Sequence, residues 1–363
     1  MKLLHFADLH LDAPFAWLEP DAARRRRQHR RDTLTRILAL AEAESVDAVL
    51  CAGDLFEHDR VQPDTIAFLQ ASFARSTRPI YLAPGNHDWY GPQSPYAVTA
   101  WSPNVHVFTE AALRPVALEA GVTLWGAAHR APANTDGFFA GFRVDQPGIH
   151  LAVAHASERS WLDAQESGKT PHAPFDAAEI AAAGLSHAFL GHFHLPKDAE
   201  RHTYPGNPDP LEFGEVGERG AVLATVGDDG RVTRERRPVA VSQVHDVEIS
   251  VDGCEHADDI RDRVSAVLGG LRGSVRVTLT GTVAPAVRVD GADLVSLAAH
   301  LEGLVIRRER VTVGYDLPAI AEEATVRGQF LRTALDIEDP ERRRQVILLG
   351  LRAFEERADL EVL

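Results

Sequence analysis

The sequence predicts an α/β chain, α+β by some schemes: a two-sheet sandwich flanked by helices, then a small α/β domain and a C-terminal helical tail. Three observations carry this. From Leu3 to Ala83, short apolar runs alternate with helical patterns, as in parallel crossover units. From about Asn104 the runs shorten and are separated by glycine, proline and polar turns, which suits a second sheet. Near Val239 the pattern restarts as strand, helix, strand, helix, strand. The boundaries fall at 1–240, 241–317 and 318–363.

Leu3–Ala7 is the first buried strand, and Asp8 and His10 follow its end. Asp21–Glu44 is helical, with Leu34, Ile37, Leu38 and Ala41 on one face. The second strand, from Val46, stops at Gly53 and presents Asp54. Pro63 opens the next helix, whose apolar face is Ile66, Leu69 and Phe73. Pro79–Ala83 is the third strand, ended by Pro84-Gly85. The second sheet is expected to contain Val105–Phe108, Val122–Gly126, Ile149–Ala154 ending at His155, and His187–Leu190 ending at Gly191-His192. Asp176–Ala183 is a short helix, and Thr203–Gly206, Ala221–Val226 and Val232–Arg237 are antiparallel candidates. In the small domain, Val244–Val251, Val275–Gly281 and Leu304–Val313 are strands, while Ala257–Leu268 and Gly291–Leu301 are helices. Leu317-Pro318 reads as a linker before two amphipathic helices, Val326–Leu335 and Arg342–Glu356.

A net charge of −15 argues against a protein that coats nucleic acid by bulk charge, though not against a nuclease with a local basic patch. Two cysteines, Cys51 and Cys254, cannot form a disulfide framework and point to a reducing compartment, the cytoplasm. No signal-peptide pattern and no apolar run of membrane-spanning length is visible.

Ligands of open α/β sheets bind beyond the carboxyl ends of the strands. Asp8, His10, Asp54, Asn86 and His87 all fall there. If the stretch after the first strand stays extended, Asp8 and His10 project to the same side. His155, His192 and His194 end strands of the second sheet. His150 and His129 compete with His155, but His150 begins its strand and His129 lies past a turn. Seven groups, Asp8, His10, Asp54, Asn86, His155, His192 and His194, could therefore meet at one sandwich edge around two divalent ions that share Asp54. Carboxylate, amide and imidazole together suit manganese or iron, with zinc possible, while a thiolate zinc site lacks its cysteines. Two ions against Asp8 and Asp54 leave a positive balance that suits an anionic phosphoester. His87, beside Asn86, is placed to stabilise phosphoryl charge or donate a proton. Trp89 and Tyr90 could stack on a base or pack their loop. The run Arg24–Arg31 could contact phosphates or form a solvated helix face.

The ordered set Asp-x-His, Gly-Asp, Gly-Asn-His-Asp, His and Gly-His-x-His, spanning Asp8 to His194, resembles the calcineurin-like metallophosphoesterase superfamily and its sandwich fold. Phe6–Leu11, Ala52–Phe56, Tyr204–Pro208 and Phe213-Gly214-Glu215 are similar to the SbcD and meiotic-recombination-type DNA repair exonucleases, with the shorter YhaO type nearest in look. The resemblance implies one metal on Asp8, His10, Asp54 and His194, a second on Asp54, Asn86, His155 and His192, and His87 as the transition-state histidine. It further implies manganese-dependent hydrolysis of DNA, a capping domain after Val244, and tail helices that dock an SMC-like ATPase with a coiled coil. Homodimerisation is left open. Asp12 replaces a glycine usual after the first motif, Asn207 replaces a serine, and Glu57 stands where some relatives carry a histidine, with His58 one place later. Rival expectations are a phosphatase or cyclic-nucleotide phosphodiesterase on the same site, and a non-catalytic DNA-end scaffold. The tail could also fold back on the body, given how apolar its last helix is.

Overall fold

The computed structural model describes residues 1–134, 136–165 and 170–355. It divides into two compact units, Met1–Gln243 and Val244–Leu363.

In chain order the first unit contains strands β1 (Lys2–Phe6), β2 (Ala48–Cys51), β3 (Ile80–Leu82), β4 (Val105–Val107), β5 (Arg114–Glu119), β6 (Val122–Gly126), β7 (Ile149–His155), β8 (His187–Gly191), β9 (Lys197–Asp198), β10 (His202–Tyr204), β11 (Gly220–Val226) and β12 (Val232–Pro238). They form two six-stranded sheets, ordered β12-β11-β1-β2-β3-β4 and β5-β6-β7-β8-β10-β9. Strands β1 to β4 are parallel, and so are β6, β7, β8 and β10. Helices α1 (Pro20–Ala43) and α2 (Pro63–Arg75) make the first two crossovers, each with proline in its first turn.

The pleat sorts the side chains. Leu3, Leu50, Tyr81, Leu124, Leu151 and Phe189 fill the space between the sheets. Leu4, Phe6, Val49, Cys51, Ile80 and Leu82 face the other way, onto Leu34 and Ile37 of α1 and Leu69 and Phe73 of α2. Cys51 is a buried, unpaired thiol. The second sheet's outer face packs Ala152, Ala154, Ala188 and Leu190 against Phe139, Phe175 and Ile180.

Several details of the first unit depart from expectation. The sequence groups Thr203–Gly206 with the two strands that follow it, in an antiparallel set. Instead β10 runs parallel to β8 in the second sheet, while β11 joins the first sheet antiparallel to β1, and β12 pairs antiparallel to β11 at its edge. Strand β5 is a further edge strand, its outer face too polar for the apolar signal to mark. The arginine run is not a wholly solvated face: Arg26 and Arg30 are buried.

The second unit has three parallel strands, β13 (Val244–Ser250), β14 (Ser274–Val283) and β15 (Gly303–Val313). Its core joins Val275, Val277 and Leu279 to Ile260, Val264 and Leu268 of the helix Ala257–Leu268. The helix expected over Gly291–Leu301 is one short turn, Gly291–Val295, followed by a 3-10 turn, Ser296–Ala298. Leu317-Pro318 opens a helix, Leu317–Glu322, rather than a linker, because Asp316 accepts from Ala319 N at 3.0 Å and Pro318 fits a first turn. Ile320 then packs with Leu331, Ala334, Ile347 and Leu351 of the helices Val326–Leu335 and Pro340–Phe354. Glu356, the expected end of the last helix, lies outside the described residues. Among the described residues no helix is long and apolar enough to cross a membrane.

Candidate metal centre

The carboxyl ends of β1, β2, β3, β7 and β8 meet at one edge of the sandwich. Asp8 and His10 follow β1, Asp54 follows β2, Asn86 and His87 follow β3, His155 ends β7, and His192 and His194 follow β8. The stretch after β1 is not extended. Asp8 and His10 have φ of 56° and 46°, and Asp54 and His192 have 51° and 105°. Four non-glycine residues in the left-handed region at one site cost about 1–3 kcal/mol each, a concentration typical of functional sites. The turns are held from behind: Asp8 N donates to Gly53 O at 3.0 Å and His10 N to Asp54 O at 2.9 Å.

Gly53, at φ 90°, is required by closeness as well as by conformation. A Cβ there would lie 2.6 Å from His155 Nδ1 and 2.8 Å from the Gly85 backbone.

The donor atoms converge in three groups: Asp8 with His10 and His194; His10 with Asp54 and His87; and Asp54 with His155 and His192. Within each group one donor atom per residue lies within 4.8 Å of the others. Asp54 links two of them. Its Oδ2 is 3.6 Å from His10 Nε2 and 3.2 Å from His155 Nε2. Asn86 Oδ1 is 3.0 Å from His155 Nε2, beside His192 Nδ1 at 3.1 Å from the same atom. The structure thus brings together all seven residues named from the sequence, with His87 at the rim. It also separates the rival histidines. His150 pairs with Trp125 and the Gln146 carbonyl, and His129 bonds the main-chain oxygen of His155 from behind at 2.7 Å. Trp89 stacks on His58, and Arg130 lies over Tyr90, so both aromatics have packing partners.

Electrostatics favour ionisation of Asp54, Glu57 and Glu215. Burial would raise Asp54, but His155, then His10 and His87, hold it well below the usual carboxylate range. Burial likewise opposes ionisation of Glu57 and Glu215, yet bonds from His10 and His87 to the first, and from His194 to the second, hold each at about 2. This donor set fits divalent cations on structural grounds. Buried imidazole nitrogens and carboxylate oxygens point at one another, and His10 Nε2 is buried with no hydrogen-bond partner in the protein.

Several supporting residues were not assigned roles from the sequence. Glu57 accepts from Nδ1 of His10 at 2.7 Å and of His87 at 2.9 Å. Glu215 accepts from His194 Nδ1 at 2.7 Å and from Asn207 Nδ2 at 2.6 Å. Arg30 donates to Leu9 O at 2.6 Å, between Asp8 and His10, and to Asp209 O at 2.9 Å. Asp88 accepts from the backbone around Asp54. The stretches holding Asp88 and Glu215 were visible as motifs, but their acceptor roles depend on contacts that only the fold creates.

Residues 1–196, more than half of the chain, match the calcineurin-like phosphoesterase family. The chain belongs to that family. Its members are hydrolases of phosphoric esters that use a dimetal centre, and the converging donors above are where a calcineurin-like phosphoesterase would carry one. The chain is similar to a Bacillus subtilis protein named uncharacterized metallophosphoesterase YhaO, at 29% identity over 243 residues, covering 62% of this chain and 57% of that one. It is similar to the SbcD component of the nuclease SbcCD of Bacillus subtilis at 26% over 262 residues, 60% of this chain and 64% of that one. It is also similar to the DNA double-strand break repair protein Mre11 of Methanopyrus kandleri, at 26% over 253 residues, 61% of this chain and 52% of that one. The match spans between about half and two thirds of each relative's length.

Proposed function

We propose that this chain is a metal-dependent DNA nuclease, an exonuclease by its resemblance, that hydrolyses phosphodiester bonds at a two-ion centre. The observation that carries the reading is that Asp54 belongs to two donor groups at once, with His87 beside them. Asp8, His10, Asp54 and His194 would hold one ion; Asp54, Asn86, His155 and His192 would hold the other. Manganese is the proposed metal, since oxygen and imidazole donors suit it. When bound, two divalent ions supply Lewis acidity toward the phosphoester and toward an attacking water.

The chain's own residues supply the rest. Burial opposes charge on His87, but the Glu57 bond and the Asp54 carboxylate raise it to about 9. With Nδ1 held by Glu57, Nε2 is the nitrogen left to donate to a phosphoryl or leaving-group oxygen. The left-handed turns at Asp8, His10 and Asp54 set the donors before substrate arrives.

DNA as substrate is supported by the two relatives whose names state nuclease and break repair. By the resemblance of the sequence motifs we further assign 241–317 as a capping domain that orients DNA ends, and 318–363 as a tail that docks an SMC-like ATPase. Cleavage of labelled single- and double-stranded DNA with Mn²⁺, beside nitrophenyl phosphate and bis-nitrophenyl phosphate, tests the reading. The expected result is Mn²⁺-stimulated DNA cleavage abolished by Asp54→Asn. A strong monoester preference would move the chain to the phosphatases, and no turnover with or without the ATPase would leave only a scaffold.

A further inference from the structure

Glu57 has more to do than fill a wall. Its Oε1 lies 2.7 Å from His10 Nδ1 and its Oε2 2.9 Å from His87 Nδ1. An ionised carboxylate only accepts, so both Nδ1 atoms donate, and Nε2 is left facing the site in each ring. For His10 that Nε2 is the buried nitrogen without a hydrogen-bond partner in the protein. The two rings meet edge to face, with centroids 4.8 Å apart. The main chain repeats the link on either side of the carboxylate. Glu57 N donates to Leu11 O at 3.0 Å, and His58 N donates to His87 O at 2.9 Å. The segment Phe56–His58 therefore braces the loop after β1 against the loop after β3. The His87 side chain is 45% exposed and its Glu57 partner 19%, so the ring reaches past its support toward solvent.

We propose that Glu57 is a positioning residue that couples His10 to His87: one carboxylate sets the donor nitrogen and the ring orientation of both a metal-holding imidazole and the phosphoryl-facing imidazole. The proposal rests on the two-ion reading above. Glu215 is the useful contrast. It supports one ring of the site, His194, and spends its other oxygen on Asn207 and Leu211 N. Carboxylates behind ligating imidazoles fix their tautomer and raise their basicity, and losing one lowers metal affinity about 10–100-fold. A shared carboxylate adds a second consequence: one substitution releases two rings.

The test uses the full chain with ¹⁵N-labelled histidine. Ring signals are recorded without metal, and assigned with His10→Gln and His87→Gln. Mn²⁺ affinity is measured by chelator competition. Glu57→Ala should shift the Nδ1 signals of both rings together and weaken Mn²⁺ binding about 10–100-fold. In DNA cleavage it should cost far less when added to His87→Gln than alone. Should Glu57→Ala fail to fold, near-isosteric Glu57→Gln, with one carbonyl acceptor, should keep one ring in place and release the other. Unmoved signals at either ring, or Mn²⁺ affinity unchanged in a folded Glu57→Ala protein, overturn the proposal. If the wild-type chain binds Mn²⁺ and cleaves DNA but Glu57→Ala matches it in both, only the coupling fails. If the wild-type chain binds no Mn²⁺, the two-ion reading fails and the coupling with it.

Discussion

Asp88 stands directly behind Asp54, its carboxylate oxygen Oδ1 accepting the backbone N–H of Asp54 at 3.1 Å. The same side chain takes Leu55 N at 2.7 Å, Gly85 N at 2.6 Å and the Tyr96 hydroxyl at 2.6 Å. It thereby fixes the two turns that present Asp54 and Asn86. Asp88→Asn replaces one acceptor by an NH₂ that faces backbone donors. We expect a loss of about 1–3 kcal/mol in stability, together with weaker Mn²⁺ binding. Urea unfolding and chelator competition check this; a stable variant with wild-type metal affinity would contradict it.

The shared position of Asp54 makes a prediction about stoichiometry. Asp54→Asn should lower affinity for both ions, whereas Asp8→Asn should loosen chiefly one and His155→Ala chiefly the other. Elemental analysis after dialysis against graded Mn²⁺ reads this out. Loss of a single ion from Asp54→Asn would show that the carboxylate is not shared.

Arg30 is buried inside what the sequence shows as a charged run. It joins the Leu9 and Asp209 carbonyls, and burial lowers its own pKa to about 10, which leaves it charged at neutral pH. Arg30→Met should cost about 2–4 kcal/mol by stranding two buried carbonyls, and should loosen the Asp8–His10 turn. Arg24→Ala, on an exposed side chain, should change stability by less than about 0.5 kcal/mol. Equal effects from the two would refute the structural role.

Away from the centre, His5, His187 and His202 are buried. The His5 ring meets Phe189 edge to face, while His187 meets Thr203 Oγ1 at 2.9 Å. Burial, aided by His187 and Arg236, holds His5 well below its usual range; burial with Arg234 holds His187 at about 3; burial holds His202 at about 4. Below 6.5 the unfolded chain binds protons that the folded chain refuses. The stabilisation is therefore present above 6.5 and is lost as pH falls from there through the folded values. For His187 the loss by pH 5 is about 2 kcal/mol. Melting temperature should fall steeply from pH 7 to 5, and His5→Leu should flatten the slope. A pH-independent melting temperature would be the contrary result.

Much of this protein is written locally in the chain. Short continuous apolar runs ended by turn residues, and a helix opened by Pro63, are properties of neighbouring residues, and they mark the parallel strands of the first sheet. Because parallel strands place their carboxyl ends together, Asp8, His10, Asp54, Asn86, His87, His155, His192 and His194 could be named as one cluster from their positions after strands. The feature that separates His155 from His150, strand end against strand start, is also local. What only the tertiary structure decided is the support. Glu57 reaches His10 47 residues away, Arg30 reaches the Asp209 carbonyl 179 away, and β10 chooses β8 over the strands that follow it. Such partners carry no period in the sequence, since a single acceptor or cation is placed by the packing of whole elements. The left-handed turns at Asp8, His10, Asp54 and His192 belong to the same class: Asp and His tolerate that region better than most residues, but it is the surrounding hydrogen bonds that impose it here.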